Sequence, residues 1–184
     1  MNISLSTVAV GLGVLLGLPQ IYGLLQPRAF AEAARKFPRN VPVGVVLMLL
    51  ATAWFLYYFN LESIADFAAM KPYMMVFFGA VGVASCFFVQ DYLAVRGLAV
   101  VLLLLGKMMV DAARWAETDW RLVVVSLAYV FVVTGMWLTV YPWHLRDALS
   151  WVTASTPRIR LGSAVGLALA VLVITLGLTV FRAS

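Results

Sequence analysis

The hydrophobic and polar positions sort the chain into six long apolar runs separated by short polar segments. The runs cover approximately residues 3–25, 41–59, 73–90, 92–113, 122–141 and 161–181. Each approaches the ~20 residues a helix needs to cross a bilayer core. With no water in that core, every backbone N–H and C=O must be satisfied within the segment, which leaves the helix as the fitting structure. The pattern therefore predicts an all-α integral membrane protein, a bundle of about six transmembrane helices forming one polytopic domain over residues 1–184. The first run lacks a basic leader and a convincing cleavage site, so it is read as a span.

The polar segments carry their own periodicity. In QPRAFAEAARKFPRN (26–40), Phe30, Ala33, Ala34 and Phe37 share one face, while Arg28, Glu32, Arg35 and Lys36 supply charge. Pro27 suits a first helical turn and Pro38 a stop, so a short basic amphipathic helix on the membrane surface is expected. NLESIADFAAMK (60–71) places Leu61, Ile64 and Phe67 at i, i+3 and i+6, with Glu62 and Asp66 making it acidic. YPWHLRDALSWVTASTPRIR (141–160) opens a third such helix after Pro142, with Trp143 and Trp151 as interface anchors. Phe37-Pro38-Arg39 and Thr156-Pro157-Arg158 each follow an amphipathic linker and lead into a span, a weak sign of a parallel repeat of helical hairpins.

Within the runs, small residues recur at helical spacing. Gly13 and Gly17 form a GxxxG pair, Gly162, Gly166 and Ala170 repeat every four residues, and Gly79, Ala80, Gly82, Ala84 and Ser85 cluster in the third run. In lipid such stripes let helix backbones approach closely. Leu18-Pro19-Gln20-Ile21 is similar to the PQ-loop motif of small sugar and amino-acid transporters. The likeness covers four residues. The polar and aromatic residues expected in the next spans are absent, as is a second copy three helices on, so no family is assigned.

The fourth run carries charge where charge is costly. At 100° per residue Arg96, Lys107, Asp111 and Arg114 fall within roughly 60° of one another. Lys107 and Asp111 are spaced i,i+4, and Asp111 and Arg114 i,i+3. Two readings stay open. The cations can snorkel to the interfaces, or the stripe can form an intramembrane charge network facing the bundle interior.

Composition narrows the function. Of 184 residues, 64% are hydrophobic and 11% charged, with a net charge of +5, and the mean hydropathy is +1.00. The basic residues lie between spans, where they read as orientation signals and not as a nucleic-acid surface. The single cysteine, Cys86, permits no intrachain disulfide, and the single histidine, His144, cannot build a multi-histidine metal site. Methionines 70, 74, 75, 108 and 109 lack an accompanying His or Cys cluster and read as gap fillers. No paired carboxylates, nucleophile–base arrangement or phosphate loop is present, so no catalytic residue, metal or cofactor is assigned. The leading expectation is a non-catalytic membrane subunit or scaffold of a larger complex, partnered by lipids and by other membrane subunits or by itself. Alternatives are a small transporter using the fourth-span stripe and a lipid-handling protein, with Arg28, Arg35, Lys36, Arg39, Arg146, Arg158 and Arg160 as candidate headgroup contacts.

Cation placement predicts the orientation. The linkers after the first, third and fifth spans hold eight cations. The opposite side holds Lys71, Arg114, Arg121 and Arg182, with Lys107 close by, which makes five. The first side is therefore expected to be cytoplasmic, in a bacterial cytoplasmic membrane, with both termini outside. A periplasm-active reporter fused at the C-terminus should be active, and a cytoplasm-active one silent. The reverse pattern overturns this topology.

Overall fold

The structure is a computed structural model that describes residues 4–62 and 69–182. Eight α-helices follow in order among them: α1 (Leu5–Leu25), α2 (Pro27–Lys36), α3 (Val41–Leu61), α4 (Lys71–Phe88), α5 (Leu93–Ala113), α6 (Arg121–Val140), α7 (Trp143–Val152) and α8 (Thr156–Leu178). Short 3-10 turns precede α3 and follow α8, and no strand occurs among the described residues. Helices α1, α3, α4, α5, α6 and α8 are long and apolar enough to cross a membrane. Large apolar side chains stand open along them, among them Tyr73 (76% exposed), Phe87 (71%) and Phe88 (87%) on α4. Water would not tolerate that much apolar surface, whereas lipid would. The expected all-α bundle of six spans with short amphipathic helices is what forms.

Local chemistry sets the ends. Ser4 accepts from the Thr7 N–H and starts α1, and Asn40 Oδ1 accepts from the Val43 N–H and starts α3. At the far end of α3 the Lys71 ammonium donates to the Asn60 and Glu62 carbonyls, at 2.5 and 2.9 Å, where a cation suits the helix dipole. α1 continues through Pro19 to Leu25. The α4–α5 link turns within Val89–Tyr92, helped by Tyr92 at φ 56°, a backbone conformation uncommon outside glycine.

The start of the last span differs from the sequence reading. The last span begins at Thr156 and not near residue 161, because Ser155 takes the N-cap position and Pro157 fits the first turn. Arg158 and Arg160 therefore belong to α8. Pro38 instead lies in a 3-10 turn outside α3, so the two proline–arginine motifs adopt different local structures. The acidic interfacial helix expected over 60–71 falls largely outside the described residues.

The chain divides into two compact units. The first comprises Met1–Lys36, Leu105–Val133 and Arg146–Ser184. Its spine is the α1–α8 pair. Ser6 Oγ donates to the Gly177 carbonyl at 2.7 Å; Gly13 faces Ala170 and Ile174, Gly17 faces Ala170, Gly166 faces Gln20, and Gly23 faces Ser163. Residue numbers rise on one helix as they fall on the other, so the pair is antiparallel, as a first and a sixth span should be. The GxxxG pair and the Gly166–Ala170 stripe thus meet each other. In the same unit Gly106 lies against Ala128 and Val132.

The second unit comprises Phe37–Leu104 and Thr134–Leu145. Gly82 and Gly79 of α4 face Thr52 and Leu56 of α3, an antiparallel contact. Gly44 and Gly97 place α3 and α5 side by side, Gly44 against Leu93 and Ala94, and Gly97 against Leu47 and Met48. Here the numbers rise together, so α3 and α5 run parallel, as two even-numbered spans should. Gly135 of α6 rests on Ala99 and Leu103 of α5. Met48, Cys86 and Leu93 form one buried cluster, and Val95, Ala99 and Leu138 another.

Glycine substitutions test the seam. A methyl group at Gly13 would meet the Ile174 side chain and, at 2.9 Å, the Ala170 carbonyl, whereas at Gly11 it would meet nothing within 4 Å. Gly13→Ala should destabilise the protein by about 1–3 kcal/mol through overpacking. Gly11→Ala should stay within about 0.5 kcal/mol or be slightly stabilising. Unfolding in detergent would compare them, and equal effects would discredit the seam.

Candidate functional site

α5 is the most enclosed of the spanning helices: half of its apolar window is buried, against 11% for α4. It also carries three of the four charged residues singled out from sequence, with Arg114 just beyond its end, and the structure gives the four three environments. Lys107 and Asp111 pair as their i,i+4 spacing predicts, Nζ to Oδ2 at 2.8 Å, with side chains 40% and 47% exposed. Arg114 lies just past the helix end, is exposed, and its carbonyl accepts from Arg121 Nη1 at 3.4 Å. No ion pair joins its side chain to Asp111 among the described residues. Arg96, three residues into α5, is half-buried, and its Nε is enclosed with no hydrogen-bond partner among the described residues.

The cations named as headgroup contacts also separate. Arg35 is committed to the fold: its Nε donates to Thr153 Oγ1 at 2.8 Å and its Nη2 to the Thr153 carbonyl at 2.6 Å. The Thr153 hydroxyl in turn donates to the Leu149 carbonyl at 2.6 Å. One planar guanidinium thus ties the C-terminal end of α2 to that of α7, where orphan carbonyls need donors. Lys36 sits 3.9 Å from Glu32, both well exposed. Arg146 pairs with Asp147 at 2.8 Å, and Arg158 lies over the Trp151 ring at 5.2 Å, a cation–π contact. Arg39 is exposed. Arg28 and Arg160 line one pocket of about 450 Å³, shared with Gln26, Pro27, Ala29 and Thr156.

His144 is exposed and sits in an aromatic group, its ring 5.5 Å from Tyr141, 5.8 Å from Trp137 and 6.0 Å from Trp143. Among the described residues no three His, Cys, Asp or Glu side chains gather as a metal site would require. The sequence reading missed two arrangements. The Arg35–Thr153 clamp joins residues 118 positions apart, and nothing in local spacing announces it. The pairing of Arg28 with Arg160 around one pocket has the same origin.

Fold and surface together define an integral, polytopic α-helical membrane protein. Comparison with protein-family models, characterised proteins and solved structures finds no significant match.

The clamp is directly testable. Arg35→Ala should lower stability by about 1–2 kcal/mol by leaving Thr153 and the end of α7 without a donor. Arg35→Lys should recover little of the loss, because an ammonium cannot reproduce the two-pronged contact. Thermal unfolding in detergent reads both. Full rescue by lysine would reduce the interaction to charge alone.

Proposed function

We propose that this chain is a non-catalytic, membrane-embedded subunit or scaffold of a larger complex. Lys107 and Asp111 carry the reading. Lys107 stands about 9 Å along the helix before the end of α5 at Ala113, counted at 1.5 Å per residue. The pair is nevertheless left 40–47% open by the chain's own helices. Charges at such a depth are expensive against lipid and are normally covered by protein or reached by water. A membrane-spanning segment of another subunit, offering a hydroxyl, amide or charge, would cover it and gain an interhelical hydrogen bond.

A permeation path along the stripe is less well supported. The stripe separates into the enclosed Nε of Arg96, the open Lys107–Asp111 pair and the exposed Arg114 beyond the helix. The proposal also takes the arginine-rich linkers as cytoplasmic and the membrane as a bacterial cytoplasmic one, following the charge asymmetry.

Native mass spectrometry of the chain extracted from its own membranes in mild detergent tests the reading. The expected spectrum shows a stoichiometric foreign membrane subunit. Lys107→Leu/Asp111→Leu should lose it while keeping helix content and a monodisperse profile. A lone monomer, a homo-oligomer, or a complex indifferent to the double variant would overturn the proposal.

A further inference from the structure

The pocket between the start of α2 and the start of α8 has the chemistry of an anion site. Two guanidinium groups, Arg28 and Arg160, line it, and among the described residues no carboxylate does. Thr156 and Arg160 are spaced i,i+4 and so project from one face of α8. Arg28 and Arg160 are exposed and form no ion pair among the described residues, whereas Arg35 is bonded to Thr153, Arg146 pairs with Asp147 and Arg158 lies over the Trp151 ring.

The backbone adds to the same field. The pocket is lined from both sides by first-turn residues, Pro27, Arg28 and Ala29 of α2 and Thr156 of α8. Pro27 has no N–H, but those of Arg28, Ala29 and Thr156 are first-turn groups without an intrahelical acceptor, and Ser155, at the N-cap of α8, makes no side-chain capping bond. Two helix dipoles therefore present their positive ends to a space already bordered by two cations. The site is also held in shape. The Arg35–Thr153 clamp fixes the far end of α2, and the Phe30 ring packs edge-on against Tyr22 of α1, with centroids 6.4 Å apart.

We propose that this pocket binds a phosphate group, carried by a lipid headgroup or free in solution. Guanidinium groups recognise phosphate oxygens through paired, charge-assisted hydrogen bonds. The Thr156 hydroxyl and the Gln26 amide supply neutral donors beside them. The assignment is independent of the subunit reading and stands if that reading fails.

The test uses the full chain, purified in mild detergent. In one arm native mass spectrometry compares retention of phosphatidic acid with phosphatidylcholine of the same acyl chains. In the other, thermal unfolding compares inorganic phosphate with chloride at constant ionic strength. Preference for phosphatidic acid by about tenfold identifies a lipid headgroup, and stabilisation by inorganic phosphate identifies the free ion. Either effect should fall to within twofold of background in Arg28→Gln/Arg160→Gln. It should persist in Arg121→Gln/Arg182→Gln, which removes the same charge elsewhere. The single variants Arg28→Gln and Arg160→Gln, each expected to lose threefold or more, decide the matter if the double variant is not monodisperse. No preference in either arm, or equal loss in the charge-matched control, overturns the site.

Discussion

The architecture depends on backbones coming close together in a solvent that does not push them together. Lipid is as apolar as leucine, so burying apolar side chains between spans gains little, and association rests on close packing and interhelical hydrogen bonds. The chain meets this with glycine at the contact points of each unit. Gly13 sits under the Ala170 carbonyl, Gly44 beside the Ala94 backbone, Gly135 on the Ala99 carbonyl and Gly177 against Val10. Where a side chain does take part it is short and polar. Ser6 donates to the Gly177 carbonyl across the α1–α8 contact. Thr52 faces Gly82 while bonding back to the Met48 carbonyl. The cost of this economy is intolerance: a single methyl at such a point meets backbone, which cannot rotate away as a side chain can.

That constraint also explains where polar chemistry collects. The spans spend their polar atoms on themselves, as Thr139 does on the Gly135 carbonyl and Ser85 on that of Val81. The short helices at the membrane surface remain free to use charge. α2 shows the division of labour within ten residues. Its C-terminal Arg35 is bonded to Thr153, while its N-terminal Arg28 lines the pocket beside α8. A surface helix tethered at one end by a bidentate contact becomes a rigid arm, and a rigid arm can present a cation without losing side-chain and backbone freedom when a ligand arrives.

The spans were legible because bilayer thickness and hydropathy act on each segment separately. The amphipathic α2 and α7, the Lys107–Asp111 pair and the two glycine stripes of α1 and α8 were legible for a related reason: their signals lie within one helix, at spacings of three or four residues. What those stripes pack against was not legible. Nothing in GxxxG names its partner, and the α1–α8 register joins residues at opposite ends of the chain. The start of α8 was misread because Arg158 and Arg160 look like linker charges, although Ser155 and Pro157 together spell a helix start. Arg28 and Arg160 were each seen as basic residues, but a shared pocket is a property of tertiary structure.

The two ends of the charge inventory therefore make different physical demands. Lys107 and Asp111 neutralise each other, so a neighbouring helix of only modest polarity could pack on them without bringing an unpaired charge into lipid. Arg28 and Arg160 have the same sign and flank two helix N-termini, so their mutual repulsion is relieved only by a counter-charge. In water, mobile ions supply it weakly. At a membrane surface, an anionic group held at fixed depth supplies it continuously and at high local concentration. At such a surface, the start of a short amphipathic helix and the start of a spanning helix would together hold an anion more strongly than the same residues on a soluble protein.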